Sequence, residues 1–187
     1  LSGEQFSQHG SISLNGINIT KFNPNERRKI GLLSAPEERL GHAAAPNMSL
    51  IENTLITAEN SQNLVYRGFI DWKKSKAFAE KVIKKFDVRT PGSQNTAGSL
   101  SGGNLQKFVI GREILQNPSV FIVNQPTWGV DAAAASSIRQ ALLTLSENGA
   151  AILVISQDLD ELLEISDQFA ALNGCLLYTS PSPRDNR

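Results

Sequence analysis

One cysteine, Cys175, occurs in the 187 residues. That excludes a disulfide framework within the chain and fits a reducing cytoplasm. An excess of either charge is also missing, because 18 Lys plus Arg balance 18 Asp plus Glu. The two signs are interleaved, with no basic stretch to serve as a nucleic-acid footprint, so no nucleic-acid partner is expected. No apolar run approaches the roughly 20 residues that span a bilayer. No charged leader followed by an apolar segment is present within these residues. Any membrane role would therefore come through a partner. Internal repeats are absent as well. What is there has the composition of an ordinary soluble α/β protein, in a chain long enough for one domain with a sizeable core.

Both ends read as unusual. Position 1 is Leu rather than Met, so the natural start is expected to lie upstream. After Gly174 comes Cys175-Leu-Leu-Tyr-Thr-Ser-Pro-Ser-Pro-Arg-Asp-Asn-Arg187. This Ser/Pro/Arg-rich stretch shows no helical or strand period and reads as disordered. Residues 175–187 are therefore expected to be a tail, either foreign adapter-like sequence or a natural flexible end, following a domain over residues 1–174.

The interior alternates strand and helix signals. Ser11 to Leu14 and Ile17 to Ile19 flank Asn15-Gly16, the strongest short-range hairpin signal. Ile30 to Leu33 is a short apolar strand. Asn47 to Ile56 should be helical, since Ser49 and Glu52 have capping-box spacing. Trp72 to Phe86 places Phe78, Val82 and Phe86 on one helical face. Ser101 is positioned to cap a helix to about Gln116, and Asp131 a long helix with Ile138, Ala141, Leu142 and Leu145 inward. Val120 to Val123 and Ala151 to Ile155 read as buried strands, Asp158 to Ile165 as a short helix and Phe169 to Leu172 as a last strand. Buried strands alternating with amphipathic helices imply a parallel sheet. Residues 45–117, mostly helical, are expected to form their own lobe.

The chemistry concentrates between Ser99 and Asp158. Ser99-Leu-Ser-Gly-Gly-Asn-Leu-Gln-Lys107 places a hydroxyl and two glycines at a helix mouth, where free amides and the positive dipole end favour an anion. Glycines let the backbone approach a phosphate without an intervening Cβ. Taken alone, Ser-Gly-Gly before a helix reads better as a loop and N-cap. The continuation changes that balance. Arg112 and Asn117-Pro118 follow, then Val120-Phe-Ile-Val-Asn-Gln-Pro-Thr-Trp-Gly-Val-Asp131, then Ile152-Leu-Val-Ile-Ser-Gln-Asp158.

In that order, over about residues 10–174, the chain resembles the ATP-binding cassette (ABC) family. Leu100 to Gln106 resembles its signature motif, with Ser101, Gly102, Gly103 and Asn104. Val120 to Gln125 resembles the Walker B strand, Gly129-Val-Asp131 the D-loop, and Ser156-Gln157-Asp158 the position of the switch histidine. Ala35-Pro-Glu-Glu-Arg39 resembles the Q-loop, with Glu37 where many members carry Gln. Pro-Glu-Glu-Arg, the Asn after the glycines and Asn-Gln-Pro-Thr-Trp-Gly-Val-Asp resemble the second cassette of tandem ATPases in bacterial simple-sugar and nucleoside importers. The resemblance implies a P-loop NTPase-like ABC ATPase domain with a helical subdomain and a small antiparallel hairpin region, truncated at its N-terminus.

The departures are specific. No Gly-x-x-x-x-Gly-Lys-[Ser/Thr] loop occurs. In the family that loop lies just upstream of a segment like Leu1 to Gln5, so truncation explains its absence; an altered loop is the other explanation. The family's missing segment includes a central strand, so the chain alone is expected to fold poorly. Asn124 stands at the magnesium-associated position, Gln125 at the water-polarising position and Gln157 at the histidine position. Amides accept no proton at neutral pH, so no catalytic or metal-binding residue of this set is intact in cis.

By resemblance, two cassettes pack head to tail around each ATP. This one would donate Ser101, Gly102, Gly103 and Asn104 to a partner's site, with ATP and Mg²⁺ held largely by that partner, while Asp131 couples the two sites. The implied partners are a first cassette of the same chain or a homologous subunit, permease subunits, and indirectly a solute-binding protein. The implied location is peripheral, on the cytoplasmic face of a bacterial membrane. A binding-only regulatory module and a soluble non-transport cassette are the alternatives. The intact signature disfavours the first and the neutral charge the second.

Plainer readings cover the rest. His9 and His42 lack neighbours at ligand spacing and read as solvated loop residues. Trp72 and Trp128 read as packing residues, although Trp128 lies close enough to the D-loop to touch the interface, and Lys73, Lys74 and Lys76 read as a solvated helix face. The loop Glu37 to Asn47 reads as a surface loop or as a contact for the membrane subunit.

Overall fold

The computed structural model describes residues 1–173 and 176–180. Near the N-terminus, β1 (Ser13–Leu14) and β2 (Ile17–Asn18) form the expected hairpin. Its turn residues Asn15 and Gly16 sit at φ 49° and 80°, the left-handed pair a tight two-residue hairpin requires. Next comes α1 (Pro24–Lys29), opened by an Asn23/Glu26 capping box with Pro24 in its first turn. These are complete start signals, yet the expected strand from Ile30 overlaps its end. Ile30 closes α1 instead, and the strand β3 runs Leu32–Ala35.

Next, α2 (Leu50–Ala58) starts at the predicted Ser49/Glu52 box, both of whose hydrogen bonds are present. A second hairpin, β4 (Val65–Tyr66) with β5 (Phe69–Ile70), turns at Arg67-Gly68; the sequence reading does not anticipate it. Asp71 then caps α3 (Trp72–Lys85) by accepting from the Lys74 amide, and Phe78 and Val82 are buried on one face. After a 3-10 turn at Ala97–Ser99, α4 (Gly102–Ile114) is buried from Leu105 onward. The order closes with β6 (Val120–Asn124), α5 (Ala132–Glu147), β7 (Ala151–Ile155), α6 (Leu159–Ile165), β8 (Phe169–Asn173) and β9 (Leu176–Ser180).

The strands β3, β6 and β7 form one parallel sheet in that order. Parallel pairing needs a crossover connection, and α5 supplies the one between β6 and β7, with Ile138, Leu142 and Leu145 buried. A continuous core runs from Leu33, Phe121 and Val123 of the sheet through Phe108 and Ile110 of α4 to Leu50, Phe78 and Val82. Close approach of α4 to the end of α3 depends on Gly111, where a Cβ would lie 2.4 Å from the Phe86 ring.

Two expectations are corrected. The strand β7 is not buried: it is an edge of the sheet, with Ile152 and Val154 against the core while Leu153 and Ile155 stand 42% and 48% exposed. Side chains alternate across a strand, and only one face of β7 is covered among the described residues. Leu176–Ser180, expected in a patternless tail, pairs antiparallel with β8 over five residues. Tyr and Thr are good strand formers, and β8 offers an open edge; Leu176, Leu177 and Tyr178 remain exposed. Cys175 and residues 181–187 of that tail lie outside the described residues.

Candidate functional site

Ser101 lies exposed at the mouth of α4 with extended φ and ψ of −62° and 154°, the backbone of an N-cap. Its hydroxyl does not cap the helix, contrary to expectation. Instead Ser101 Oγ accepts from Asn104 Nδ2 at 2.9 Å, and Asn104 Oδ1 accepts from the Arg89 amide at 2.8 Å. Asn104, one turn along, competes for the hydroxyl and is itself held from outside the helix. The first-turn amides are thus left without the side-chain acceptor that usually satisfies one of them. Gly102 and Gly103 add no Cβ in front of these amides. A hydroxyl, free amides and a 13-residue helix dipole converge on one point, an arrangement that fits a phosphate group.

The other candidate residues stand at the C-terminal ends of β6 and β7. Asn124 closes β6, and its Nδ2 donates to Glu37 Oε2 at 3.5 Å, so the loop after β3 meets the end of β6 there. Gln125 follows at φ 51°, 8% exposed, its amide donating to Ile155 O at 2.8 Å. A cavity of about 280 Å³ lies between the two strand ends, lined by Gln125, Thr127, Trp128, Gly129, Ser156, Gln157 and Asp158. Gln125 and Gln157 line this cavity, and Asn124 lies beside it at the end of β6, in register with Ile155. Three amides supply neutral oxygens only, and Asn124 turns its NH₂ toward the nearest carboxylate. A divalent cation prefers anionic oxygen ligands, so this set does not fit magnesium. No group of three or more metal-ligating side chains occurs among the described residues.

Asp131 caps α5, accepting from the Ala134 amide at 2.8 Å. That hydrogen bond, with smaller contributions from the Lys107 and Arg89 charges, holds its carboxyl below the usual carboxylate range.

Three residues to which the sequence assigns no individual role, Gln106 and Arg39 within the quoted motifs and Glu161 outside them, tie the site together. Gln106 Nε2, buried on α4, donates to Gln125 O at 3.1 Å and Pro126 O at 2.9 Å. Glu161, buried on α6, accepts from Ser156 Oγ at 2.9 Å. It stands three residues after the capping Asp158, a spacing that could have marked it. Arg39 donates to Gly102 O at 3.2 Å and also to Trp128 O. No local spacing could have found Gln106 or Arg39, whose partners lie 19 to 89 positions away.

Neither tryptophan is a packing residue. Trp72 is 52% and Trp128 63% exposed. The turn after β6 engages the Trp128 backbone and leaves its indole between the strand-end cavity and a second cleft that includes Glu37, Arg39 and Gly102. His42 is exposed as expected but has a partner, Glu4 Oε1, at 2.9 Å.

A parallel sheet with glycine-opened helix α4 and polar residues at its strand ends is the arrangement of an ATP-binding cassette. The family model for ABC transporters matches residues 1–128, and the chain belongs to that family. It is 37% identical over 174 residues to the nucleoside import ATP-binding protein NupA of Lactococcus lactis, covering 93% of this chain and 34% of NupA. To the arabinose import ATP-binding protein AraG of Vibrio parahaemolyticus it is 38% identical over 166 residues, covering 89% and 33%. The chain thus spans about a third of the length of the curated relatives it matches. Among solved structures, an ATP-binding cassette dimer in a post-hydrolysis state with ADP and Pi superposes with a TM-score of 0.76 at 19% identity, covering 94% of this chain and 75% of that one. A nucleotide-free cassette from an ABC transporter gives 0.73 at 22%, covering 99% and 75%. The fold is therefore that of the ABC ATPase cassettes. No helix among the described residues is long and apolar enough to cross a membrane.

Proposed function

We propose that this chain is the second cassette of a tandem ATPase that energises import of a simple sugar or nucleoside, and that it acts mainly by donating the mouth of α4 to the ATP of a first cassette. The import ATP-binding proteins it resembles support the solute class. The observation that carries the division of labour is the chemical difference between the two parts of the site. At α4, Ser101 is exposed, its hydroxyl is not spent on capping, and Gly102 and Gly103 leave the amides open. At the strand ends, three amides stand where proton transfer and metal binding would need carboxylates and an imidazole.

Hydrolysis requires stabilisation of the γ-phosphoryl oxygens and orientation of the attacking water, whose proton must be accepted. The mouth of α4 supplies the first through hydrogen bonds that strengthen as charge develops. Asn124, Gln125 and Gln157 accept no proton at neutral pH, and loss of a general base costs about 10²–10⁴ in rate. ATP at this chain's own strand ends would be held and turned over slowly, whereas Mg²⁺ and the competent base belong to the first cassette. Permease subunits and, indirectly, a solute-binding protein complete the assembly, with this chain peripheral on the cytoplasmic face.

The test uses the complete ATPase assembled with its permease. Ser101→Arg places bulk and charge where the γ-phosphate must sit, and is expected to lower turnover by roughly 10²-fold or more, the scale of a lost oxyanion donor. Gln125→Ala, which removes no base, is expected to stay within about threefold of the parent on the same reasoning. Equal silencing by both substitutions, with assembly and nucleotide binding intact, would falsify the donor role.

A further inference from the structure

We propose that Arg39 is a positioning residue for the mouth of α4: its guanidinium clamps the first helical turn to the turn after β6. The proposal rests on the reading that this mouth takes a phosphate. Two hydrogen bonds carry it. Arg39 Nη1 donates to Gly102 O at 3.2 Å, and Nη2 donates to Trp128 O. Gly102 opens α4 and Trp128 lies in the turn between β6 and α5, so one planar group joins segments 26 residues apart in sequence from a third, the loop after β3. A guanidinium suits this task because its donors are fixed in one plane and bridge two acceptors without a change of rotamer.

The glycines around it fit the same purpose. A Cβ at Gly102 would lie 3.0 Å from Arg39 Nη1, and one at Gly129 would lie 3.4 Å from Nη2. Gly129 also sits at φ 65°, a conformation that side chains disfavour. Both glycines thus leave room for the guanidinium. A Cβ at Gly103 would come 3.5 Å from Gly129 O, so the turn packs directly on the helix mouth. Gln106 makes a second connection one turn deeper, to Gln125 O and Pro126 O. That connection fixes the body of α4; the first turn is held by Asn104, which accepts from the Arg89 amide, and by Arg39, which ties it to the turn after β6. Farther along α4, Arg112 Nη2 donates to Ala43 O at 2.8 Å. The loop that carries Arg39 is therefore fastened to the same helix at two heights, and the aim of Ser101 and the first-turn amides follows the placement of that loop.

The experiment compares Arg39→Met, which keeps the stem and removes every donor, with Arg39→Lys, which keeps the charge but not the planar fork. Both are made in the complete ATPase assembled with its permease, beside Ser101→Arg. For Arg39→Met a loss of about 10-fold or more in kcat is expected, since small misplacement of a positioned group costs up to roughly 10²-fold. The KM for ATP should change by less than about threefold, because uniform binding is not what was removed. Arg39→Lys should recover part of the lost kcat. Parental kcat in Arg39→Met, or an unchanged kcat with a raised KM, would overturn the proposal. If Arg39→Met does not assemble, Arg39→Lys decides: full parental kcat overturns the clamp, and a reduced kcat at unchanged KM supports it. Should Ser101→Arg itself leave turnover intact, the reading of the α4 mouth fails, a result separate from any effect at Arg39.

Discussion

The helix α4 and the strand β7 exchange the environments their compositions suggest. The helix carries Lys107, Arg112 and Glu113, and all three are buried. The strand is Ala-Ile-Leu-Val-Ile, and Leu153 and Ile155 are exposed. The difference lies in what the fold puts beside each. The charges on α4 enter the interior with partners: Glu113 accepts from Arg112 Nε at 2.9 Å, from Arg28 Nη2 at 2.5 Å and from Gln116 Nε2 at 3.1 Å. Arg112 also donates to the carbonyls of Ala43 and Asn53. Burial pushes the Arg112 guanidinium down from its usual range, and the adjacent Glu113 charge opposes that shift. The apolar side chains of β7, by contrast, have a covering layer on only one face among the described residues. Burial thus follows position in the fold, and a charged group tolerates the interior when every polar atom finds a partner.

The comparison breaks most readily at Glu113. Glu113→Ala leaves Arg112 buried and removes the ion-pair partner of Arg28, and uncompensated buried charge of this kind costs about 3–5 kcal/mol. That matches the roughly 2–5 kcal/mol expected for Ile110→Ala, an apolar truncation on the same helix. Thermal unfolding of the two variants of the complete protein, side by side, measures this. A loss below about 1 kcal/mol for Glu113→Ala, set against the buried-pair expectation, would show that the network is hydrated and that α4 is less enclosed than its burial indicates.

A smaller effect belongs to Ser49, at the start of the helix that packs beside α4. Its hydroxyl accepts from the Glu52 amide at 3.2 Å, and Glu52 Oε2 accepts from the Ser49 amide at 2.8 Å. Ser49→Ala removes one arm of this box and should cost about 1 kcal/mol in the same unfolding measurement. The Glu52 carboxyl is held below its usual range mainly by the Ser49 hydroxyl, so the variant should also raise that titration toward the ordinary value, observable by carboxyl NMR.

These elements also show which parts of the molecule are legible in sequence. The Asn15-Gly16 turn, the Ser49/Glu52 box and the Asp131 cap are local devices, complete within four residues, and each forms where its spacing predicts. The Asn23/Glu26 box and the Arg67-Gly68 turn are equally local but pass unread beside stronger apolar signals, so α1 and the β4–β5 hairpin go unanticipated. The motif residues Asn124, Gln125 and Gln157 meet at strand ends because a parallel sheet aligns its C-terminal edges. What no spacing reveals are the ties at long range: Arg39 to Gly102 and Trp128, Gln106 to the turn after β6, Arg28 to Glu113. Partner identity there depends on how loops close over the sheet. The exposure of β7 is likewise a property of its neighbours.

The smallest effect expected is at Asp131, where the charge stays at the surface. Its carboxyl accepts from the Ala134 amide and lies below the usual carboxylate range. A carboxyl lowered on folding stabilises the folded state fully above its unfolded pKa of about 3.9, and that contribution disappears as pH falls through the lower folded value. Asp131→Asn keeps an N-cap of nearly equal rank but cannot titrate. The parent should therefore be slightly more stable than the variant at pH 7, and the gap should close below about pH 4, where the parent carboxyl takes up its proton. Glu52 and Asp71 are also lowered, so the parent's own pH slope is shared among several groups; the difference between parent and variant isolates Asp131. Paired melting curves of the complete protein from pH 7 to below pH 4 give that difference. A gap that is constant with pH would mean that Asp131 contributes through cap geometry alone, and that its charge is screened by solvent as thoroughly as the Glu113 charge is sheltered from it.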